Sequence, residues 1–151
     1  MNIRFIRSSE KKRITANLNE QFGIEKLPYL LIESGKERIR GFSGSLSKDE
    51  IILIAQLTNV ESIGIYLIKK EKERDLRLSL DAAHLLKDQI NKNIVEINES
   101  QLYDWLRGKD LEIQTEKGNI IIQYKGDLIG SGKSNGERIF NYVPKDRRLR
   151  K

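Results

Sequence analysis

The stretch that decides the fold is DLIGSGKSNGERIF, residues 127–140. Its GSGKS shares letters with the phosphate-binding loop G-x-x-x-x-G-K-[ST], but Asp127 stands where the first glycine belongs. Such a loop also opens a helix, whose positive end holds the anion. Here Asn135-Gly136 follows Ser134 at once, which is a strong hairpin-turn signal. We therefore expect a glycine-rich strand rather than a nucleotide site.

The glycines of this strand indicate how it packs. Gly130 and Gly132 lie two positions apart, so they share one face, and Lys133 points to the other face. Glycines inside strands mark places where another group comes close or where a small barrel turns a corner. With Gly136 they give G-x-G-x-x-x-G, which is one residue too long for the dinucleotide-binding fingerprint. The pattern predicts a small, tightly curled sheet.

The rest of the second half predicts one short helix among strands. Asn98 with Gln101, or Ser100 itself, can cap the helix QLYDWLRG. Trp105 stands at helical spacing with two leucines and is expected in the core, and Gly108 ends the helix. Strands are expected at 94–98, 111–114, 119–125 and 138–143.

The first half mixes helices with strands. Ser47 and Glu50 form a capping box before IILIAQL, and Asp81 is interpreted as the N-cap of a later helix. The charged residues 69–75, KKEKERD, are predicted to be a solvated turn, and the polar residues 91–93, NKN, mark a boundary. Helices are expected at 13–22, 51–57 and 82–90, with strands at 29–33, 37–42, 61–70 and 76–80. This predicts an α+β protein with a mixed α/β domain at 1–91 and a second domain at 92–151.

Composition narrows the function classes. The 151 residues carry a net charge of +6, which suits a polyanionic partner or a solvated surface rich in salt bridges. The absence of cysteine excludes disulfides and thiolate metal sites and fits a reducing cytoplasm. His84 is the only histidine, so we expect a helix-surface or core residue and neither a metal site nor a catalytic relay. No apolar run reaches the ~18 residues of a membrane span, so no membrane partner is expected.

The second half resembles a PUA domain, the module named for pseudouridine synthases and archaeosine transglycosylases. The resemblance is carried by IVEINESQLYDWLRGKDL at 94–111 and IIIQYKGDLIGSGKS at 120–134. IFNYVPKDRRL at 139–149 is most similar to PUA domains associated with Sun-type RNA cytosine-5 methyltransferases. Residues 1–91 are similar in outline to the pre-PUA domain of small ribosome-biogenesis factors. The resemblance implies a C-terminal β pseudobarrel that binds structured RNA.

The resemblance also implies where RNA is bound: at the end of the short helix, on the glycine-rich hairpin and after the last strand. Arginine suits bidentate phosphate contacts, and lysine acts as a point charge. Several alternatives stay open. The tail KDRRLRK is either a solvated end or part of this surface, and Tyr142 either stacks on a base or packs. An N-terminal basic cluster either binds RNA or covers the first helix; it comprises Arg4, Arg7, Lys11, Lys12 and Arg13. The expected RNA contacts are Arg107, Gly108, Lys109, Lys125, Lys133, Lys145, Arg147 and Arg148.

Three functions follow as hypotheses. The first is a non-catalytic RNA-binding factor in rRNA or tRNA maturation, with no cofactor, since no carboxylate pair, nucleophile elbow or metal-ligand spacing is present. The second is an adaptor that docks on an RNA-modifying enzyme or a ribosomal subunit through an exposed apolar patch within 1–91. The third is a small-nucleotide binder acting through GSGKS.

Overall fold

Two sheets with flanking helices make up the computed structural model, which describes residues 2–35, 37–72 and 74–150. The first sheet has five antiparallel strands in the order of the chain. The second sheet has four strands, also in chain order; its first two strands are parallel, and its other neighbouring strands are antiparallel. The protein is therefore α+β, as predicted. The elements of the first half are β1 (Arg4–Phe5), α1 (Ser8–Phe22), β2 (Leu30–Ser34), β3 (Arg38–Phe42), α2 (Lys48–Leu57), β4 (Ile65–Lys72), β5 (Asp75–Leu78) and α3 (Leu80–Leu85). Those of the second half are β6 (Ile94–Glu96), α4 (Glu99–Leu106), β7 (Gly118–Tyr124), β8 (Asp127–Ser134), β9 (Ile139–Asn141) and a short 3-10 helix at Lys145–Arg147.

The glycine-rich stretch is a strand, so the prediction that GSGKS is not a phosphate loop is confirmed. A Cβ atom built on Gly130 would lie 2.9 Å from Nε1 of Trp105, and one built on Gly132 would lie 2.9 Å from Cη2 of the same indole. The two glycines thus share one face of β8, and that face receives the fully buried Trp105. The core position predicted for this tryptophan is also confirmed.

The other face of β8 packs on the first half of the chain. The hydroxyl of Ser131 donates a hydrogen bond to the Leu78 carbonyl at 2.7 Å, and Nε2 of His84 donates to the Leu128 carbonyl at 2.8 Å. His84 is exposed on α3, in accord with a helix-surface role. Ile121 and Leu128 belong to the same buried cluster as the first sheet and its helices. The two halves therefore share this cluster, which is the first of two hydrophobic cores; the second lies around Trp105.

Strand β7 explains this sharing. Ile120 and Ile122 pack in the second core beside Trp105, whereas Ile121 packs in the first. Because successive side chains of a strand point to opposite faces, a continuous run of isoleucines belongs to a strand that is buried on both sides.

Several local predictions were wrong, and the helix expected at 82–90 already ends at Leu85. Ser79, not Asp81, caps α3, since its hydroxyl accepts a hydrogen bond from the Ala82 amide at 3.0 Å. The turn predicted at 69–75 is much shorter, because β4 continues to Lys72 and β5 begins at Asp75; Glu73, between them, lies outside the described residues. The strand expected at 111–114 is reduced to an isolated bridge between Leu111 and Ile139.

Helix α2 begins at the predicted capping box, but most of its apolar side chains are exposed. Ile51 is its only buried side chain. Leu53 is 54% exposed and Leu57 is 77% exposed, and Ile52 and Ile54 are also exposed. The helix therefore presents an unpartnered apolar face, which we call the α2 face and define as Ile52, Leu53, Ile54 and Leu57.

Charged pairs fix the first strand and helix to the sheet. Arg4 donates hydrogen bonds to Glu33 and to Glu10, and Lys70 lies 3.0 Å from Glu33. The hydrogen bond from Arg4 lowers the pKa of Glu10. For Glu33, burial raises the pKa, but the hydrogen bonds from Arg4 and Lys70 outweigh it, so the pKa is lowered. Helix α1 ends at Gly23, as predicted, with φ at 84°. None of the helices in the described residues is both long and apolar enough to cross a bilayer.

Candidate nucleic-acid interface

The end of α4 is the first part of the candidate surface. The helix begins with a capping box between Asn98 and Gln101, one of the caps the sequence offered. It ends at Leu106 with Arg107 as its C-cap, and Gly108 follows with φ at 89°, a left-handed conformation that favours glycine. The side-chain amide of Asn141 donates to the carbonyls of Trp105 and Lys109 at 2.8 and 3.0 Å, so the last strand holds the helix end in place.

The C-terminal segment packs against this helix end. The Leu149 amide donates to the Leu106 carbonyl at 2.8 Å, and Nε of Arg148 donates to the Val143 carbonyl at 3.0 Å. A Cβ atom on Gly108 would lie 2.4 Å from Nε of Arg148, so the arginine covers the glycine. The tail is therefore anchored at Arg148 and Leu149, while Lys145, Asp146 and Arg147 are exposed. Six of the predicted contacts lie on these two packed segments. We call this set the basic rim, which comprises Arg107, Gly108, Lys109, Lys145, Arg147 and Arg148.

The cations of the rim differ in how they are held. Arg107 and Lys145 are exposed and have no ion pair among the residues that the structure describes. Lys109 lies 3.5 Å from Asp104, and Arg147 lies 3.2 Å from Asp81. Exposed pairs of this kind contribute only about 0–1 kcal/mol, so a phosphate can replace the carboxylate at small cost.

Lys125 lies apart from the rim, in the turn that joins β7 to β8. Its φ is 46°, and its amide donates to the Glu96 carboxylate at 2.8 Å. The ammonium is 5.4 Å from the centre of the Tyr124 ring. Lys125 and Lys133 stand at opposite ends of the hairpin, because Tyr124 pairs with Asp127 and Gly118 pairs with Ser134.

Lys133 is already engaged with carboxylates. Its ammonium lies 2.7 Å from Glu71 and 3.4 Å from Asp75, both in the first half of the chain. The hydrogen bond to Glu71 raises the pKa of Lys133 and so favours the charged ammonium form. The side chain leaves β8 on the face opposite Gly132, as predicted, but there it joins the two halves. An RNA contact for Lys133 stays a prediction that these ion pairs oppose.

A cation–π contact lies beside the Lys133–Glu71 ion pair, and the sequence did not predict it. The guanidinium of Arg77 lies 4.2 Å from the centre of the Tyr142 ring and pairs with Glu71 at 3.4 Å. Tyr142 is half-buried and already stacked, which favours the packing interpretation over base stacking. The described residues contain no group of three or more His, Cys, Asp or Glu side chains that could hold a metal ion.

Comparison with known proteins gives a family match for the second half of the chain. Residues 92–149 match the family model described as the methyltransferase RsmF PUA domain. Residues 92–149 are a PUA domain. The helix that carries Arg107 and the segment that carries Lys145 both lie within it.

The relatives compared below are named ribosomal RNA small subunit methyltransferase F. The protein of Vibrio cholerae (strain M66-2) is 39% identical over 54 residues, which are 34% of this chain and 11% of that protein. The protein of Aliivibrio fischeri (strain ATCC 700601 / ES114) is 34% identical over 85 residues, 56% of this chain and 18% of that protein. The Aeromonas salmonicida (strain A449) protein is 28% identical over 88 residues, 57% of this chain and 18% of that protein. The last two alignments are longer than residues 92–151, so the similarity extends upstream of the PUA domain. The chain spans less than a fifth of the length of these relatives.

Proposed function

We propose that this protein is a non-catalytic RNA-binding protein that acts in the cytoplasm in the maturation or modification of rRNA or tRNA. The observation that carries the proposal is the basic rim. Its two segments are distant in the chain, pack against each other through the Leu149–Leu106 hydrogen bond and carry the exposed cations Arg107 and Lys145. The match of residues 92–149 to an RsmF PUA domain and the names of the relatives support an rRNA-modification context.

The rim suits the backbone of a folded RNA. The guanidinium of Arg107 can bind a phosphate through two parallel hydrogen bonds, whereas Lys109 and Lys145 act as point charges. Arg148 is fixed by the Val143 carbonyl, so it supports the surface as well as adding charge. A-form RNA is recognised through phosphates and 2′-hydroxyls rather than base edges, which matches a surface made of exposed cations.

The proposal assigns no catalysis to this chain. Attack on a pyrimidine by a thiolate requires a cysteine, and the sequence contains none. The relatives are named methyltransferases, but the chain aligns with at most 18% of the length of those compared above. We propose that any modification reaction is carried out by a different polypeptide segment, to which this protein presents RNA.

Reversal of the free rim charges tests the proposal. We expect the double variant Arg107→Glu, Lys145→Glu to bind a labelled RNA hairpin at least about tenfold more weakly, because two phosphate contacts become repulsive. The slope of log affinity against log salt should fall in magnitude by about 1.4–1.8. Fluorescence anisotropy over a salt series measures both quantities.

The control for this experiment carries the same charge change elsewhere. Lys26→Glu, Lys87→Glu alters two exposed lysines that lie outside the basic rim. If this control weakens binding as much as the rim variant, net charge alone explains the affinity and the rim has no special role. The double reversal of Arg147 and Arg148 is a less clean test, because Arg148 packs on Gly108 and Arg147 pairs with Asp81.

A second candidate function is the adaptor, and the α2 face favours it. A monomeric surface rarely leaves a contiguous apolar patch without use. Beside this face lies an apolar cavity of about 230 Å³, lined by residues that include Phe42, Ile54 and Ile63. We propose that the α2 face docks on an RNA-modifying enzyme or a ribosomal subunit while the PUA domain holds RNA.

Substitution on the α2 face tests the adaptor. Leu53→Ser should reduce co-sedimentation with purified small ribosomal subunits several-fold, because a buried leucine anchor contributes about 1.5–3 kcal/mol. Leu85→Ser is the matched control, since Leu85 is 50% exposed and Leu53 is 54% exposed. Equal co-sedimentation of both variants with the wild type would remove the subunit as the docking partner.

A further inference from the structure

Three clefts that share lining residues lead from the start of α1 to the beginning of β7. The first, about 500 Å³, lies at the start of α1 and is lined by Arg4, Arg7 and Arg13 among others. The second, about 620 Å³, lies between α1 and β5 and is lined by Arg13, Lys70 and Arg74. The clefts are contiguous, because both contain Arg13.

The third cleft continues this path into the PUA domain. Its volume is about 450 Å³, and its lining includes Arg74, Lys72 and Lys117. Arg74 belongs to the second cleft as well, while Lys117 stands directly before β7. We call this path the basic track and define it as Arg4, Arg7, Arg13, Lys70, Lys72, Arg74 and Lys117.

Most cations of the track are free to bind a ligand. Arg4 and Lys70 are committed to Glu10 and Glu33. The remaining five cations of the track are exposed and make no ion pair within the described part of the chain.

The acidic side chains of the three clefts are mostly neutralised. Glu10 is paired with Arg4 and Lys70, and Asp75 is paired with Lys133 and accepts a hydrogen bond from the Asn119 amide at 2.6 Å. Glu20 is the remaining lining carboxylate of these clefts. The free charge of the track is therefore strongly positive.

The arrangement selects an extended polyanion. The cations are spread over three clefts and do not converge on one point, so a single phosphate or mononucleotide cannot contact them all. A membrane surface is broad and flat, whereas these sites are concave. A sugar–phosphate backbone places one charge per nucleotide along a path and meets both conditions.

We infer that the basic track binds the backbone of the same RNA that the PUA domain holds, so that the RNA footprint extends across both halves of the protein. This inference rests on the proposed function. Under this inference, the residues of the N-terminal basic cluster have different roles. Arg7 and Arg13 belong to the track, whereas the ammonium of Lys11 donates to the Tyr29 carbonyl at 2.7 Å and has a structural role.

The test uses the full chain and a labelled RNA hairpin that carries a single-stranded extension. Lys72→Glu, Lys117→Glu should weaken binding at least about tenfold and reduce the magnitude of the salt slope by about 1.4–1.8, since two phosphate contacts are lost. Lys26→Glu, Lys87→Glu is matched in residue type, exposure and charge change, and should leave the affinity within about threefold of the wild type. Thermal unfolding of both variants should match that of the wild type, because all four side chains are exposed.

The outcomes separate this inference from the proposed function. If the Lys72 and Lys117 reversal behaves like the control while the Arg107 and Lys145 reversal abolishes binding, the track is wrong and the proposed function stands. If neither reversal differs from the control, both are wrong. If polyglutamate competes with the RNA as well as an unlabelled RNA does, the track is a general polyanion or acidic-protein surface and the RNA assignment is overturned.

Discussion

Replacement of Trp105 by alanine is expected to lower the free energy of unfolding by about 3–5 kcal/mol. The indole is fully buried and fills the space above Gly130 and Gly132, so alanine leaves a cavity that a neighbouring backbone cannot close. The loss also removes the hydrogen bond from Nε1 to the Ile129 carbonyl, which measures 3.1 Å. The Ile129 carbonyl would then lack that donor.

Urea unfolding monitored by circular dichroism measures this effect. Tyr103→Ala is the control, because it removes an aromatic side chain from the same helix but at a position that is 51% exposed. Its expected cost is below about 1 kcal/mol. If the two variants lose equal stability, Trp105 is not the centre of the second core.

The second large effect is expected at Gly132. A Cβ atom there would lie 2.6 Å from the Phe140 carbonyl oxygen and 2.9 Å from the Trp105 ring. The carbonyl belongs to the neighbouring strand and cannot rotate away, so Gly132→Ala should push β8 and β9 apart. Overpacking of this kind typically costs about 1–3 kcal/mol.

A second glycine separates crowding from backbone strain. Gly118 has φ at 128°, but a Cβ atom there would meet no other atom within 4 Å. Gly118→Ala therefore reports the cost of an unfavourable φ alone, about 1 kcal/mol. Should Gly132→Ala prove no more destabilising than Gly118→Ala in the same urea experiment, close packing does not explain the glycines of β8.

Local features of the fold could be predicted from the sequence because their causes are local. The capping boxes at Ser47 and Asn98 depend on residues three apart, and the end of α1 depends on Gly23 alone. The glycine strand was predictable because Asn135-Gly136 signals a turn and leaves no room for a helix. The start of α1 was missed, since residues 8–12 are polar and Arg7 provides no side-chain cap.

Other features depend on contacts between distant segments. Asp81 and Ser79 are both good caps, and Ser79 is selected because β5 ends at Leu78. The charged residues 69–75 extend the strands because Glu71 and Asp75 meet Lys133, which is remote in sequence. The run of isoleucines in β7 was the available signal for a strand buried on both faces, and it was interpreted only as a strand.

The candidate site was predictable in part. The resemblance located Arg107 and Lys145 in segments that the structure brings to one surface. Sequence alone did not distinguish the free cations from Lys133, because an ion pair with Glu71 requires the packing of the two halves. For the proposed basic track, the sequence indicated only its N-terminal cations, as a basic cluster. It could not place Arg13 near Arg74 and Lys117, because these residues lie far apart in the chain.

Ile121 of β7 packs in the same core as the first sheet, so the two halves of the protein are held together and not joined by a flexible linker. When two binding surfaces are joined by a flexible tether, the second contact depends on how often the tether brings it into reach. Here the basic rim and the proposed basic track lie on halves that share a core. An RNA bound at the rim would therefore meet the track at a fixed spacing. Whether the RNA reaches the track would then depend on its own shape, so the protein would select RNAs by their geometry.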